Sequence, residues 1–156
     1  MGEEVRIDSG SLRGTTLPDT GVRRFLGIPY AAPPTAANRW RPPRPVVPWT
    51  GVRDATEFGP ASPQVPPPTG SLFSGHESAF SEDCLTLNVW TGPEGDRGRP
   101  VLVWIHFGAF MFGSASNPLY DGARLASRGI TVVTVNHRLG TVSYTHLRAH
   151  ETGRNL

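Results

Sequence analysis

Between residues 29 and 68 the chain carries twelve of its sixteen prolines. Proline has a fixed φ and no backbone N–H, so this stretch can be neither a helix nor a central strand. A structureless loop of that length is out of place in a small self-contained domain. It reads more naturally as a strap laid over the surface of something larger. The competing reading is a disordered linker. Trp40, Trp49 and Phe58 argue against it, because disordered segments are poor in aromatic residues.

The rest of the composition narrows the classes. The 156 residues suffice for one domain, and a hydrophobic fraction of 37% allows a modest core. No apolar run approaches the ~18 residues of a membrane helix. The start, Met1-Gly2-Glu3-Glu4, is acidic with no apolar stretch behind it, unlike a secretory signal. Arg6 stands where a myristoylation site needs Ser or Thr. A cytoplasmic location with no membrane partner is therefore expected. The net charge of +2 is too small to argue for nucleic acid, and all fifteen basic residues are Arg. With abundant Gly, Ala and Pro, that bias points to a GC-rich bacterial genome. One cysteine, Cys84, excludes an internal disulfide and a cysteine zinc cage. Neither a metal nor a cofactor is expected.

On either side of the strap the texture changes. Residues 4–28 alternate short apolar groups with turn residues and predict short antiparallel strands. Residues 84–140 predict a parallel α/β region. Within it, strands are expected at 84–90, 101–105 and 130–135, and a short helix at 121–128 ahead of Gly129. Val101-Leu102-Val103-Trp104-Ile105 is a continuous apolar run, the pattern of a strand buried on both faces in an intact fold. Strand, helix, strand in this order is a right-handed crossover by default.

The chemistry concentrates in His106-Phe107-Gly108-Ala109-Phe110-Met111-Phe112-Gly113, directly after the apolar strand. A turn of small residues there leaves backbone N–H groups free to stabilise an oxyanion. Taken alone, the turn reads more readily as a tight glycine turn with no catalytic role.

Its surroundings carry more. Gly27-Ile28-Pro29-Tyr30-Ala31, Arg39-Trp40-Arg41-Pro42-Pro43 and Trp49 are followed by Ser81-Glu82-Asp83-Cys84-Leu85-Thr86-Leu87-Asn88-Val89. Then come Val103-Trp104-Ile105-His106 with Gly108-Ala109-Phe110, Tyr120-Asp121-Gly122, and Asn136-His137-Arg138-Leu139-Gly140. In order and spacing these resemble the type-B carboxylesterases, the cholinesterase-like branch of the α/β-hydrolases, from about residue 5 to residue 140. The resemblance implies the N-terminal portion of an α/β-hydrolase fold: short antiparallel strands, then a parallel crossover unit. It implies a serine esterase acting on small-molecule esters, with the N–H groups of Gly108 and Ala109 as oxyanion donors. It makes His106 a turn-stabilising residue and pairs Arg39 with Glu82 to pin the strap. It gives Arg138 a carboxylate partner further along.

The sequence departs from the family pattern in three ways. The family has glycine where Phe107 stands, so Phe is expected to be strained there or to swing its ring toward the acyl carbon. Ser62 stands where many relatives have the cysteine that pairs with Cys84, leaving Cys84 as a buried free thiol. No Gly-x-Ser-x-Gly nucleophile elbow occurs anywhere, and Gly113-Ser114 lacks the second glycine. The expectation is that the chain stops before the triad, with no catalytic Ser, acid or His of its own. Residues 1–140 would then be a truncated carboxylesterase domain and 141–156 a non-native tail. From Thr141 through Thr152 the tail reads, codon for codon, as a transposase sequencing adapter, and a short index followed by resumed adapter accounts for Gly153 to Leu156. A His146/His150 metal pair or a short solvated helix are weaker readings of the same residues. A non-catalytic cholinesterase-like adhesion or binding protein is the alternative function.

Overall fold

The computed structural model describes residues 3–66, 70, 71, 79–93, 95 and 97–140. The tail from Thr141 to Leu156, with its histidines, lies outside the described residues, as do Met1 and Gly2. The strands are β1 (Glu3–Ile7), β2 (Gly10–Thr16), β3 (Arg23–Pro29), β4 (Val52–Asp54), β5 (Thr86–Thr91), β6 (Val101–Ile105) and β7 (Thr131–Val135). They form one sheet in the order β1-β2-β3-β5-β7-β6, with β4 added alongside β2. The first four members of that path are antiparallel, and β5 is also antiparallel to β7. β6 runs parallel to β7, from Val101 opposite Thr131 to Ile105 opposite Val135, and the short β4 runs parallel to β2. The helix α1 (Ala123–Ala126) lies on the crossover between them.

The helix is shorter than the expected 121–128. It is entered through Asp121, whose carboxylate accepts from the Ala123 N–H at 2.8 Å. It is left through paired bonds from the Gly129 N–H to Ala126 and from the Ile130 N–H to Leu125, the closure that a left-handed glycine permits. β5 likewise starts two residues late. The Thr86 N–H turns back on the Cys84 carbonyl at 2.7 Å, and Cys84 and Leu85 join Ala31 in a small buried cluster instead of the ladder.

The sheet buries apolar residues on both faces. Val22, Leu26, Trp90, Ala126 and Val132 pack together under α1. Leu12, Phe25, Ile28 and Ala55 form a second cluster, covered partly by Trp49 from the strap. The described part of the strap is thus tied to the sheet. The Trp49 indole donates to the Ser11 carbonyl at 2.9 Å, the Ala55 N–H to Arg13 at 2.7 Å, and the Leu26 N–H to Ala55 at 2.8 Å. The Arg39–Glu82 ion pair closes at 2.6 Å, as the resemblance implied. The Arg138 guanidinium, buried, donates instead to the Arg41 carbonyl at 2.8 Å, and among the described residues it forms no ion pair.

β6 differs from its sequence pattern. All five of its residues are exposed, Val101 by 61% and Ile105 by 64%. Among the described residues it is an edge strand bonded to β7 alone, and the two-faced burial expected of it belongs to the intact fold. Among the described residues no helix is long and apolar enough to cross a membrane.

Candidate active site

The turn leaves the end of β6 and spans His106 to Gly113. Its backbone is forced into left-handed space at four residues: Gly108 (φ 134°), Ala109 (φ 50°), Phe110 (φ 60°) and Gly113 (φ 112°). For Ala and Phe such a conformation costs on the order of 1 kcal/mol or more each and persists only where the surroundings impose it. Here they do. The Gly108 carbonyl accepts from Met111 at 2.9 Å and from Phe112 at 3.3 Å, and the Phe110 carbonyl accepts from the Gly140 N–H at 2.7 Å. The Gln64 amide, sent in from the strap, grips Gly113 from both sides. It accepts from the Gly113 N–H at 2.6 Å and donates to the Gly113 carbonyl at 2.9 Å.

Gly108 is buried and Ala109 exposed. Among the described residues neither N–H donates to a protein acceptor. Two adjacent donors without an acceptor, on a turn held by bonds to everything around them, suit a developing negative charge. Their orientation is set before any ligand arrives.

Phe107 corrects an expectation. It is not among the residues with positive φ, so the backbone at this position asks for nothing only glycine can supply. Its ring is 58% exposed and packs edge-on against Phe112 with centroids 6.3 Å apart. The strain expected there falls on Ala109 and Phe110 instead. If the intact protein has the esterase activity that the sequence resemblance implies, Phe107→Gly is expected to leave kcat for a small p-nitrophenyl ester within about threefold, because no backbone strain is relieved. A rise of tenfold or more would show that the ring obstructs the site.

Behind the turn lies a polar ladder that sequence reading did not assign. Asn88 of β5 accepts from the Gly27 N–H at 2.9 Å and donates to the Thr134 hydroxyl at 2.9 Å and the Ala115 carbonyl at 3.4 Å. Asn136 accepts from the Ala115 N–H at 2.8 Å and donates to the Pro60 carbonyl at 3.3 Å. Ser114 is buried and bonded to Ser116 at 2.7 Å, a structural hydroxyl of the loop. The ladder bolts residues 113–116 to the sheet, and so anchors the far end of the turn. The signal for it was in plain sight: Asn88 and Thr134 interrupt β-branched and apolar runs on the face where burial is deepest.

His106 is only 8% exposed, and burial pushes its pKa below the ordinary value, against the opposing bond to the Phe107 carbonyl. Cys84 is a buried free thiol whose pKa burial raises, with the Ser62 hydroxyl, its hydrogen-bond partner, opposing the rise. Among the described residues no group of three or more His, Cys, Asp or Glu is placed to hold a metal ion.

Comparison with known proteins places this geometry. The profile of the carboxylesterase family matches residues 2–156. A para-nitrobenzyl esterase of Bacillus subtilis (strain 168) is 45% identical over 144 residues, covering 92% of this chain and 29% of that protein. An acetylcholinesterase of Gallus gallus is 42% identical over 158 residues, covering 94% of this chain and 21% of its own length. A solved para-nitrobenzyl esterase superposes with a TM-score of 0.84 at 43% identity, covering 93% of this chain and 30% of that one. The chain thus spans less than a third of the length of these relatives.

Proposed function

The chain belongs to the carboxylesterase family, as an N-terminal portion with the α/β-hydrolase fold, and from that premise we propose that it supplies the oxyanion-binding half of a serine carboxylesterase site. The observation that carries this reading is the pair of N–H groups at Gly108 and Ala109, without protein acceptors among the described residues, on a turn fixed by Gln64, Gly140 and the polar ladder. In the intact enzyme a serine alkoxide attacks the ester carbonyl while a histidine takes its proton. The negative charge then moves onto the carbonyl oxygen, and the two N–H dipoles meet it there. The substrates are small carboxylic esters. On this reading the nucleophile, acid and base are encoded in the full gene well after Gly140; the present 156 residues contain no Gly-x-Ser-x-Gly, and by themselves are expected not to hydrolyse esters. Residues 141–156 are read-through of a sequencing adapter.

Resequencing the source DNA across codon 140 tests both statements. The adapter reading requires the genomic frame to diverge there, and an uninterrupted frame through codons 141–156 would end it. The recovered gene is expected to encode an elbow serine downstream, and its product to hydrolyse p-nitrophenyl acetate. Replacing that serine with alanine should remove the activity. A glycine in place of the elbow serine would favour a non-catalytic adhesion or binding protein.

A further inference from the structure

Two imidazoles lie face to face behind the oxyanion turn. His106 follows β6 and His137 follows β7, and since Ile105 and Val135 are paired, the two chains leave the sheet side by side. Their rings stack with centroids 4.6 Å apart and planes 19° from parallel. Phe110, from the strained part of the turn, meets His137 edge-on at 5.8 Å.

His106 Nδ1 lies 3.0 Å from the Phe107 carbonyl oxygen. A carbonyl can only accept, so Nδ1 carries the proton and, in the neutral ring, Nε2 the lone pair. The Phe107 C=O and the Gly108 N–H belong to one planar peptide unit, so the bond that aims the first aims the second. The ring has little room to choose another pose: a side chain on Gly113 would bring its Cβ to 2.6 Å from His106 Nδ1. One face of the ring is covered by His137.

His137 hydrogen-bonds back to the Val135 backbone on its own strand and not to the turn. Its Nε2 is buried with no partner among the described residues, an arrangement that costs free energy. Its charge is also suppressed. Burial, then the neighbouring His106, push its pKa down to about 4, so both rings are neutral at pH 7. What it presents to His106 is a flat, uncharged face.

We propose that His137 is a positioning residue for the oxyanion turn: its ring face fixes the plane of His106, and His106 fixes the peptide that carries the Gly108 donor. This rests on Gly108 being an oxyanion donor. It predicts that an aromatic face at position 137 matters and that the imidazole nitrogens do not.

The test uses the intact esterase encoded by the full gene, with His137→Phe and His137→Leu beside the unchanged enzyme. Turnover of p-nitrophenyl acetate is one readout. The other is the long-range 15N–1H spectrum of His106, which reports its tautomer. His137→Leu is expected to lower kcat about tenfold, less than outright loss of one donor, with KM within about twofold. His137→Phe is expected to stay within about threefold in kcat. The Nδ1–H signature of His106 should persist in the Phe variant and average out in the Leu variant. A general packing defect would lower both variants together, or raise KM. The proposal is overturned if His137→Leu keeps its kcat, if His137→Phe is as slow as His137→Leu, or if the His106 tautomer is unchanged throughout. Should the Leu variant not fold, His137→Met takes its place with the same expectations. If the unchanged enzyme hydrolyses no ester, the functional reading fails on its own, and the tautomer spectra alone decide whether His137 holds His106.

Discussion

On the proposed esterase function, replacing Gly108 with alanine is expected to lower the turnover of the intact protein by about 10²–10³, with little change in KM. The size is that of losing one well-placed oxyanion donor, and the loss belongs in kcat because the charge forms only beyond the ground state. The cause is steric. A Cβ on Gly108 would overlap the Phe112 carbonyl oxygen and stand 2.6 Å from its carbon, and the backbone φ of 134° is one that side-chain-bearing residues rarely adopt. Phe112 cannot withdraw freely, because its own N–H is bonded to the Gly108 carbonyl. The turn must rotate, and both donors rotate with it. Initial rates with p-nitrophenyl acetate, read beside a thermal melt to show that the fold survives, check this. A kcat within threefold of the unchanged enzyme would remove Gly108 from the oxyanion site.

The second large effect is on stability. Asn88→Ala in the intact esterase is expected to cost about 3–4 kcal/mol in urea unfolding. It leaves the Gly27 N–H without its acceptor and takes one donor each from Thr134 and Ala115, in a place where Asn88 itself is 2% exposed. Each buried polar group left unpaired costs about 1–3 kcal/mol, and the lost side-chain volume adds to it. A change below about 1 kcal/mol would show that water or another residue takes over the ladder.

The strands were legible because their cause is local. β-branched runs at 101–105 and 131–135 favour extended chain, and an apolar alternation before the strap favours short hairpins. The turn and the Arg39–Glu82 pin were legible through ordered motifs that match a family. Three features were not. β6 reads as a strand covered on both faces in an intact fold, whereas its exposure in this chain depends on what lies beside and over it, which is not a property of the five residues. Gln64 acts on Gly113, 49 residues away, through a backbone that any sequence would present. His137 acts by stacking, which leaves no periodic trace. The strain expected at Phe107 was misplaced for a related reason. Glycine at a position shows that a positive φ is permitted there, and in this turn the positive φ falls one residue later.

The strand order also sets a timetable for synthesis. β7 lies between β5 and β6, so β6 has no neighbour to join until β7 exists. The ribosome completes β6 at Ile105 and β7 only at Val135. At translation rates of about 5–20 residues per second, the apolar run Val101–Ile105 waits roughly two to six seconds before its first partner strand is made. Through that interval β1, β2, β3 and β5 can already pair with one another, because each finds its partners among earlier sequence. The nascent protein therefore presents an antiparallel half still open at its β5 edge and an unpaired apolar segment, and during that delay a holding chaperone would have the most to bind.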